Sequence, residues 1–539
     1  MYSLLRKRIA LAAALSSLLA IVPATASAHR SGASLCVGSG SGCFSTIQAA
    51  VDAAHSGDVI QVGSGTFAGG IAIDTSVKLI GAGAEATIID GGGPVLTIGV
   101  PDAPTEPTVT IDGVTVTGGL TVGNLTPFNG RGGGIYVPRA AGPSTGATVT
   151  IRNSVIRGNR VAPSVAIDSG IPCPGGNDCP FASAGGGGIS NDGTMMLDHT
   201  VVIDNRADAA SGLTSDADGG GILNRAFGNL TLRNSVVSDN HAAVTAPNGR
   251  FADGGGILMV AGMLTIDNST LNGNSVDVSA SFPSEVETFA AAGGMGVQGN
   301  ASATVRNTTI NGNTVTATNP LGDVIAACAG ICTDGSLALR NSTVSDNRVS
   351  GTTAAVSPAG SAFVDSGGLG TGCCQEVPAT VTISGTRFSG NGVTAAAPAG
   401  TALAAGGGIN IANDKLVPIS DSVVSGNSVS ATTTTGSAIA QGVGIDNGGL
   451  LTLRNATVSD NIGTASGAGG VLRGGGIWNG TFPPNLPVQL TLADSVVSHN
   501  TLTASSGITV QGGGLFTTFP VILKDTLIAQ NSPDQCFGC

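Results

Sequence analysis

A β-solenoid, a chain wound into stacked coils of short parallel strands, is the fold class the sequence predicts, and three observations predict it. One pattern recurs along most of the chain and is clearest in residues 219–240, GGGILNRAFGNLTLRNSVVSDN: glycines closed by an aliphatic residue, a polar spacer, Leu-x-Leu, then an aliphatic residue with Asn three positions later. That Asn returns as Asn159, Asn205, Asn240, Asn274, Asn313, Asn347, Asn391, Asn427, Asn461, Asn500 and Asn531, at intervals of 31 to 46 residues centred near 35, and a period in this range marks solenoids. Composition agrees: Gly is 85 of 539 residues and charged residues only 10%, against about 7% and about 25% in globular chains. The regularly placed aliphatic residues give the chain apolar surface to bury, which disordered low-complexity segments lack.

Residues 1–28 read as an export signal, with Arg6-Lys7-Arg8 before the apolar run Ile9–Val22 and Ala26-Ser27-Ala28 as a small-residue cleavage site. Cleavage after Ala28 leaves 19 Lys and Arg against 34 Asp and Glu, a net charge of -15. A basic nucleic-acid footprint is therefore not expected, nor is a transmembrane segment in the mature chain, since no later stretch offers eighteen uninterrupted apolar residues. The expected location is secreted, extracellular or cell-surface.

Residues 29–130 are expected to hold a capping helix and the first coils. Ser45–Ala54 places Ile47, Ala50, Val51 and Ala54 at helical spacing before Ser56-Gly57-Asp58 breaks it. Short β-branched runs follow, among them Val59–Val62, Val77–Ile80 and Val109–Ile111, each ended by Gly or Asp. The run IQAAVDAAHSGDVIQVGSGTF with IAIDTSVKLIGAG resembles the amino-terminal part of right-handed parallel β-helix proteins of the pectin-lyase-like superfamily. The resemblance implies an all-β, right-handed, single-stranded parallel β-helix whose open end a helix caps; enzymes and non-enzymes share that fold.

Residues 131–531 carry about eleven copies of the repeat. Each copy reads as three strand-like pieces: one running through the glycines, with an apolar residue six positions before the aliphatic, as in Phe251 and Ile257; Leu-x-Leu, as in Leu230 and Leu232; and one carrying the Asn, as in Val344-Asn347-Val349. An even offset puts Phe251 and Ile257 on one face of a continuous strand. Asn at one position on successive coils would stack into an amide ladder. The pairing of GGGI with aliphatic-x-x-Asn is similar to the repeats of polymorphic outer-membrane adhesins, although Phe388 alone keeps their Phe and no membrane barrel follows. Residues 532–539 close the chain as a short cysteine loop.

The ten cysteines fall as close neighbours: Cys36 with Cys43, Cys173 with Cys179, Cys328 with Cys332, Cys373 beside Cys374, and Cys536 with Cys539. In an exported chain such neighbours read as local disulfides, with a zinc site as the alternative.

The strongest candidate site comes from stacking positions. Asp218 and Asp253 lie four residues before the aliphatic of their Gly-Gly-Gly-Ile on successive coils, and Asp216 joins them. Three such carboxylates are either a solvated acidic corner, a Ca²⁺ site, or a group that retains a proton as acid/base pairs do. Asp204 and Asp239 form a second stacked pair, read as turn residues. Arg152, His199, Arg233, Asp267, Arg306 and Arg340 read as a surface stripe with cross-coil charge pairing. None of the polygalacturonase motifs occurs, and His199, His241 and His499 lack a repeated Ser or carboxylate partner, which argues against a triad. The expected role is adhesin-like binding or structure, with polysaccharide or cell-surface components as partners and Ca²⁺ as the one candidate cofactor. The alternative is a polysaccharide lyase or glycoside hydrolase acting on acidic polysaccharide.

Overall fold

The computed structural model describes residues 32–539 apart from 123–129, 142–145, 164–166, 173–177, 211–213, 226–227, 247–250, 281–287, 356–359, 373–378, 413–414 and 482–487. The export signal expected at 1–28 and the Cys173–Cys179 and Cys373/Cys374 expectations fall outside these residues or rest on one that does. The chain is an all-β, right-handed parallel β-helix with one short helix, Ile47–Ala53, at its start. Thr46 caps that helix by accepting the Ala49 N–H, and Ile47, Ala50 and Val51 are buried over the end of the coils. No helix among the described residues is long and apolar enough to cross a membrane.

Each repeat contributes five strands, not three. In one coil these are Asn229–Arg233, Val236–Ser238, His241–Thr245, Phe251–Asp253 and Ile257–Met259; they belong to what we call sheets 1 to 5. Sheet 1 has 15 strands, sheets 2 and 5 have 14 each, and sheets 3 and 4 have 11 each. The strands pair in parallel with their counterparts one coil away, except where Ile167–Pro172 adds to Asp178–Gly185 as an antiparallel edge of sheet 4. The piece read as one strand from Phe251 to Ile257 breaks at Gly254, whose φ of 69° is left-handed; a hinge there reverses the alternation of faces. Ile257 is buried in the core whereas Phe251 faces outward and is partly exposed. The even-offset rule holds only for an unbroken strand.

The cross-section has two lobes. Sheets 1, 2 and 5 enclose a core of large aliphatic residues such as Ile222, Leu230, Leu232 and Val237. Sheets 3 and 4 pack on a second core that is almost wholly Ala and Val, including Ala242, Ala252, Val276 and Ala290; the small side chains bring the two sheets close together. A waist joins the lobes. Asn159, Asn205, Asn240 and their successors are fully buried there, each amide donating to the Oδ1 of the next, as Asn240 Nδ2 to Asn274 Oδ1 at 3.0 Å, and to a carbonyl one coil back, as Asn240 Nδ2 to Val202 O at 3.0 Å. The last glycine of each triplet abuts this ladder: a Cβ on Gly221 would lie 2.6 Å from Gly256 O and 2.9 Å from Asn240 Cγ. Glycine and Asn recur together because the waist has room for backbone on one side and one amide on the other.

Disulfides link Cys36 to Cys43 and Cys536 to Cys539. The expected Cys328–Cys332 bond does not form. Cys332 is disulfide-bonded, but Cys328 is not its partner. Cys328 occupies the left-handed hinge position at φ 57°, and its sulfur is turned toward Gly370 of the next coil.

Candidate functional site: the corner between sheets 4 and 5

The left-handed hinge folds sheet 5 back against the end of sheet 4, so two outward-facing columns meet in a corner that runs along the solenoid. One column is the last residue of each sheet 4 strand; the other is the middle residue of each sheet 5 strand. Gln441 and Asp446, one from each column, meet by a hydrogen bond from Nε2 to Oδ2 at 2.9 Å.

Asp218 stands directly opposite Asp253 on the next coil, and Asp216, two residues earlier on the same face, stands opposite Phe251. Burial pushes the Asp218 carboxyl up to about 7, with the negative charge of Asp216 adding to the rise and Arg131 opposing it. Asp253 is nearly inaccessible, and burial followed by the charge of Asp218 holds it well above the usual carboxylate range against hydrogen bonds from Gln298 and the Gly254 N–H. Gln298 Nε2 donates to Asp253 Oδ2 at 2.5 Å, and Asp253 Oδ1 has no hydrogen-bond partner. Both carboxyls therefore hold a proton more readily than a free aspartate does, and a protonated carboxyl can donate where an ionised one accepts. For the calcium expectation, the three side chains share an outer face, but among the described residues no group of three His, Cys, Asp or Glu side chains is placed to hold a metal ion.

Sequence reasoning missed the rest of the corner. Asp365, Gln441 and Arg473 continue the Asp218 column, and Asp446, Trp478 and Phe516 continue the column of sheet 5. Burial raises Asp365 against hydrogen bonds from Ser366 and Asn410 and raises Asp446 to about 7 against the Gln441 hydrogen bond. The Arg473 guanidinium donates to Gln441 Oε1 at 3.0 Å and lies 5.1 Å over Trp478 and 5.3 Å over Phe516, which stacks on Phe537 at 5.2 Å. The available signal was position: Asp365, Gln441 and Arg473 each stand four residues before the aliphatic of their glycine motif, as Asp218 and Asp253 do.

Beside the corner, the outer face of sheet 4 carries an apolar column in unbroken register through Phe251, Phe289, Ile325, Phe363, Leu403, Ile439 and Val471. The rings of Phe251 and Phe289 stack at 4.8 Å and 9°, and Phe363 is 40% exposed. A chain with few aromatics thus builds an aromatic surface, because the coil period places distant residues on top of one another.

The remaining sequence-derived residues resolve as follows. Asp204 and Asp239 have φ of 55° and are exposed; this left-handed turn position is mostly Gly or Asp, with His499 and Gln530 in the last two coils. The charged stripe is real, but its second member is Asp198, not His199: Asp198 pairs with Arg152 and Arg233, so the signs alternate from Arg152 through Asp267 to Arg306, with an Arg306–Asp267 ion pair at 2.9 Å. His241 does have cross-coil partners, Ser275 Oγ at 2.7 Å and Asp277 Oδ2 at 3.5 Å, but both approach Nδ1. A nucleophilic triad needs Ser and carboxylate on opposite ring nitrogens, so this is not one.

The class these features define is a right-handed parallel β-helix with a second lobe. No family model matches the chain, and no curated protein matches it. Among solved structures it is similar to the A-module of the Azotobacter vinelandii mannuronan C-5 epimerase AlgE4, at 12% identity and TM-score 0.27 over 89% of this chain and 90% of that one. It is also similar to a family 28 exopolygalacturonase of Yersinia enterocolitica, at 10% identity and TM-score 0.26 over 90% of this chain and 75% of that one. Likenesses at this level carry no argument about chemistry.

Proposed function

We propose that this protein is a secreted or cell-surface solenoid that binds an extended polysaccharide along the outer face of sheet 4. The observation that supports this reading is the apolar column over seven coils beside a row of carboxyl and amide groups in the corner. A sugar ring has an apolar C–H face and a rim of hydroxyls. The column offers contact to the first, and the partly exposed Asp218 and Asp365 offer donors and acceptors to the second. Coils repeat every ~4.8 Å along the axis, so a ligand that is itself an extended repeating polymer meets equivalent groups again and again. The likeness of the repeats to those of polymorphic outer-membrane adhesins adds weight to a binding role.

A second reading, cleavage of an acidic polysaccharide, is favoured by one observation: the Asp218–Asp253 pair, two carboxyls adjoining in register and both raised by burial. Incubating the mature protein with uronate and neutral polysaccharides, with and without Ca²⁺, separates the two. Retention on an insoluble polymer without new reducing ends or unsaturated products is expected for the binder; robust turnover replaces binding with catalysis, and retention on none of the polymers removes both.

A further inference from the structure

The outer face of sheet 3 lies on the other side of the second lobe from the apolar column, because sheets 3 and 4 face each other across the Ala/Val core. It holds a notch of about 340 Å³ that no part of the polysaccharide reading uses. The floor is Ala243. In register on one side is Asp208, on the other Asp277, and His241 and Thr245 flank Ala243 along its own strand. Arg160 and Arg206, paired across neighbouring strands, rise at the rim.

Two guanidiniums side by side repel each other. Here both send Nε to the same oxygen, Asp208 Oδ2, at 2.7 and 3.2 Å. The Asp208 side chain is only 9% exposed, and its other oxygen has no hydrogen-bond partner. One carboxylate thus anchors two cations. Each guanidinium is about half exposed and makes no other hydrogen bond to a described residue, so its terminal Nη groups are left for a ligand. Asp277, the remaining carboxylate, is half exposed at the far wall and faces His241. Burial, and then the Arg206 charge, lower His241 from its ordinary range.

From this geometry we propose that the notch binds an oxyanion, the carboxylate or the sulfate of an acidic small molecule or sugar, between Arg160 and Arg206 with Ala243 beneath it. Arginine forks match planar and tetrahedral oxyanions through paired hydrogen bonds. A residue larger than alanine on the floor would fill the space that the bound group needs.

Calorimetric titration of the mature protein with sodium galacturonate, sodium sulfate and galactose, at constant ionic strength, tests this. Saturable binding of at least one charged probe and none of galactose is expected, and which anion binds distinguishes the two sources. Arg206→Gln and Ala243→Leu each should weaken that binding at least tenfold, with melting curves confirming that both variants fold. Absence of saturable binding to both anions overturns the proposal, as does unchanged affinity in the Ala243→Leu protein.

Discussion

The first coils and the repeat coils are built differently, and the difference locates the candidate chemistry. Residues 34–117 form coils of three sheets: in the first of these the chain passes from sheet 2 at Gly65–Ala68 to sheet 5 at Ile71–Ile73 through two glycines alone. Sheet 3 begins only at Leu120–Thr121 and sheet 4 only at Ile167–Pro172. The coils from Thr194 to Thr517 each insert two strands between sheet 2 and sheet 5, and with them come the Asn ladder, the left-handed hinge, the corner and the notch; the last coil, Val521–Phe537, has strands in sheets 1, 2 and 5 alone among the described residues. The three-sheet coil is a sufficient solenoid. The added lobe supplies the apolar column, the notch and one side of the corner, and it depends on a waist of polar side chains and bare backbone instead of a large apolar core.

The largest test of that contrast is Asn313→Ala. It removes an amide that donates to Leu271 O and Asn347 Oδ1 and accepts from Asn274, leaving several buried groups unsatisfied at ~1–3 kcal/mol each. Denaturant titration should show a loss of about 3–5 kcal/mol, with proteolysis opening sheets 3 and 4 before the first coils; uniform loss of protection along the chain would dissolve the two-part description.

Gly294→Ala should come next. Its Cβ would sit 2.5 Å from Gly330 O and 3.0 Å from the Asn313 amide, and overpacking of this kind costs about 1–3 kcal/mol. A melting temperature within a degree of wild type would show that the waist can widen.

Asp446 gives a smaller effect with a definite sign. Its folded-state value of about 7 exceeds the ordinary aspartate value of 3.8, so the folded protein binds the proton more tightly. The associated stability is fully present below pH 4 and is lost as pH rises toward 7. Asp446→Asn should flatten the stability–pH profile over that window by up to ~1.4 kcal/mol per pH unit, measured by urea titration at stepped pH; an unaltered slope would mean the carboxyl titrates normally. Smallest in stability is Phe363→Ser, within about 0.5 kcal/mol because the ring is on the surface, yet it should markedly weaken polysaccharide retention if the apolar column is the binding face.

Much of the first lobe could be read directly from sequence, because large aliphatic residues alternate with polar ones in Leu-x-Leu and in the glycine-closed motif. The second lobe was obscured by its own composition. Alanine-rich segments such as Ala402–Ala405 carry little pattern, and the inserted loops vary in length, so two strands per coil passed as flanks of others. Parity failed at the hinge for a conformational reason, since one left-handed residue reverses inside and outside. At the corner, Asp218 and Asp253 were legible because they are neighbours in register and alike in type, whereas Asp365, Gln441 and Arg473 differ in type and are separated by Ala405 in the same column. His241 was passed over because its partners were sought in repetition, while Ser275 and Asp277 occur beside it only once.

The direction of the Asn amides has a further result. From Asn159 to Asn500 every Nδ2 donates one hydrogen to the side-chain oxygen of the next coil and the other to a carbonyl of the preceding one, and every Oδ1 accepts from the amino-terminal side, beginning with the Gly119 N–H on Asn159. The row is therefore vectorial, each amide polarising the next. It ends on Gln535, whose Oε1 accepts both the backbone and side-chain N–H of Asn531. Severing the row at any coil yields the same two faces: one bearing a backbone N–H and an amide hydrogen without acceptors beside a carbonyl without its donor, the other an amide oxygen without donors beside the amide hydrogen that had bonded back. The solenoid thus has a built-in sense along its axis, and only its carboxy-terminal face requires a side-chain acceptor to close it.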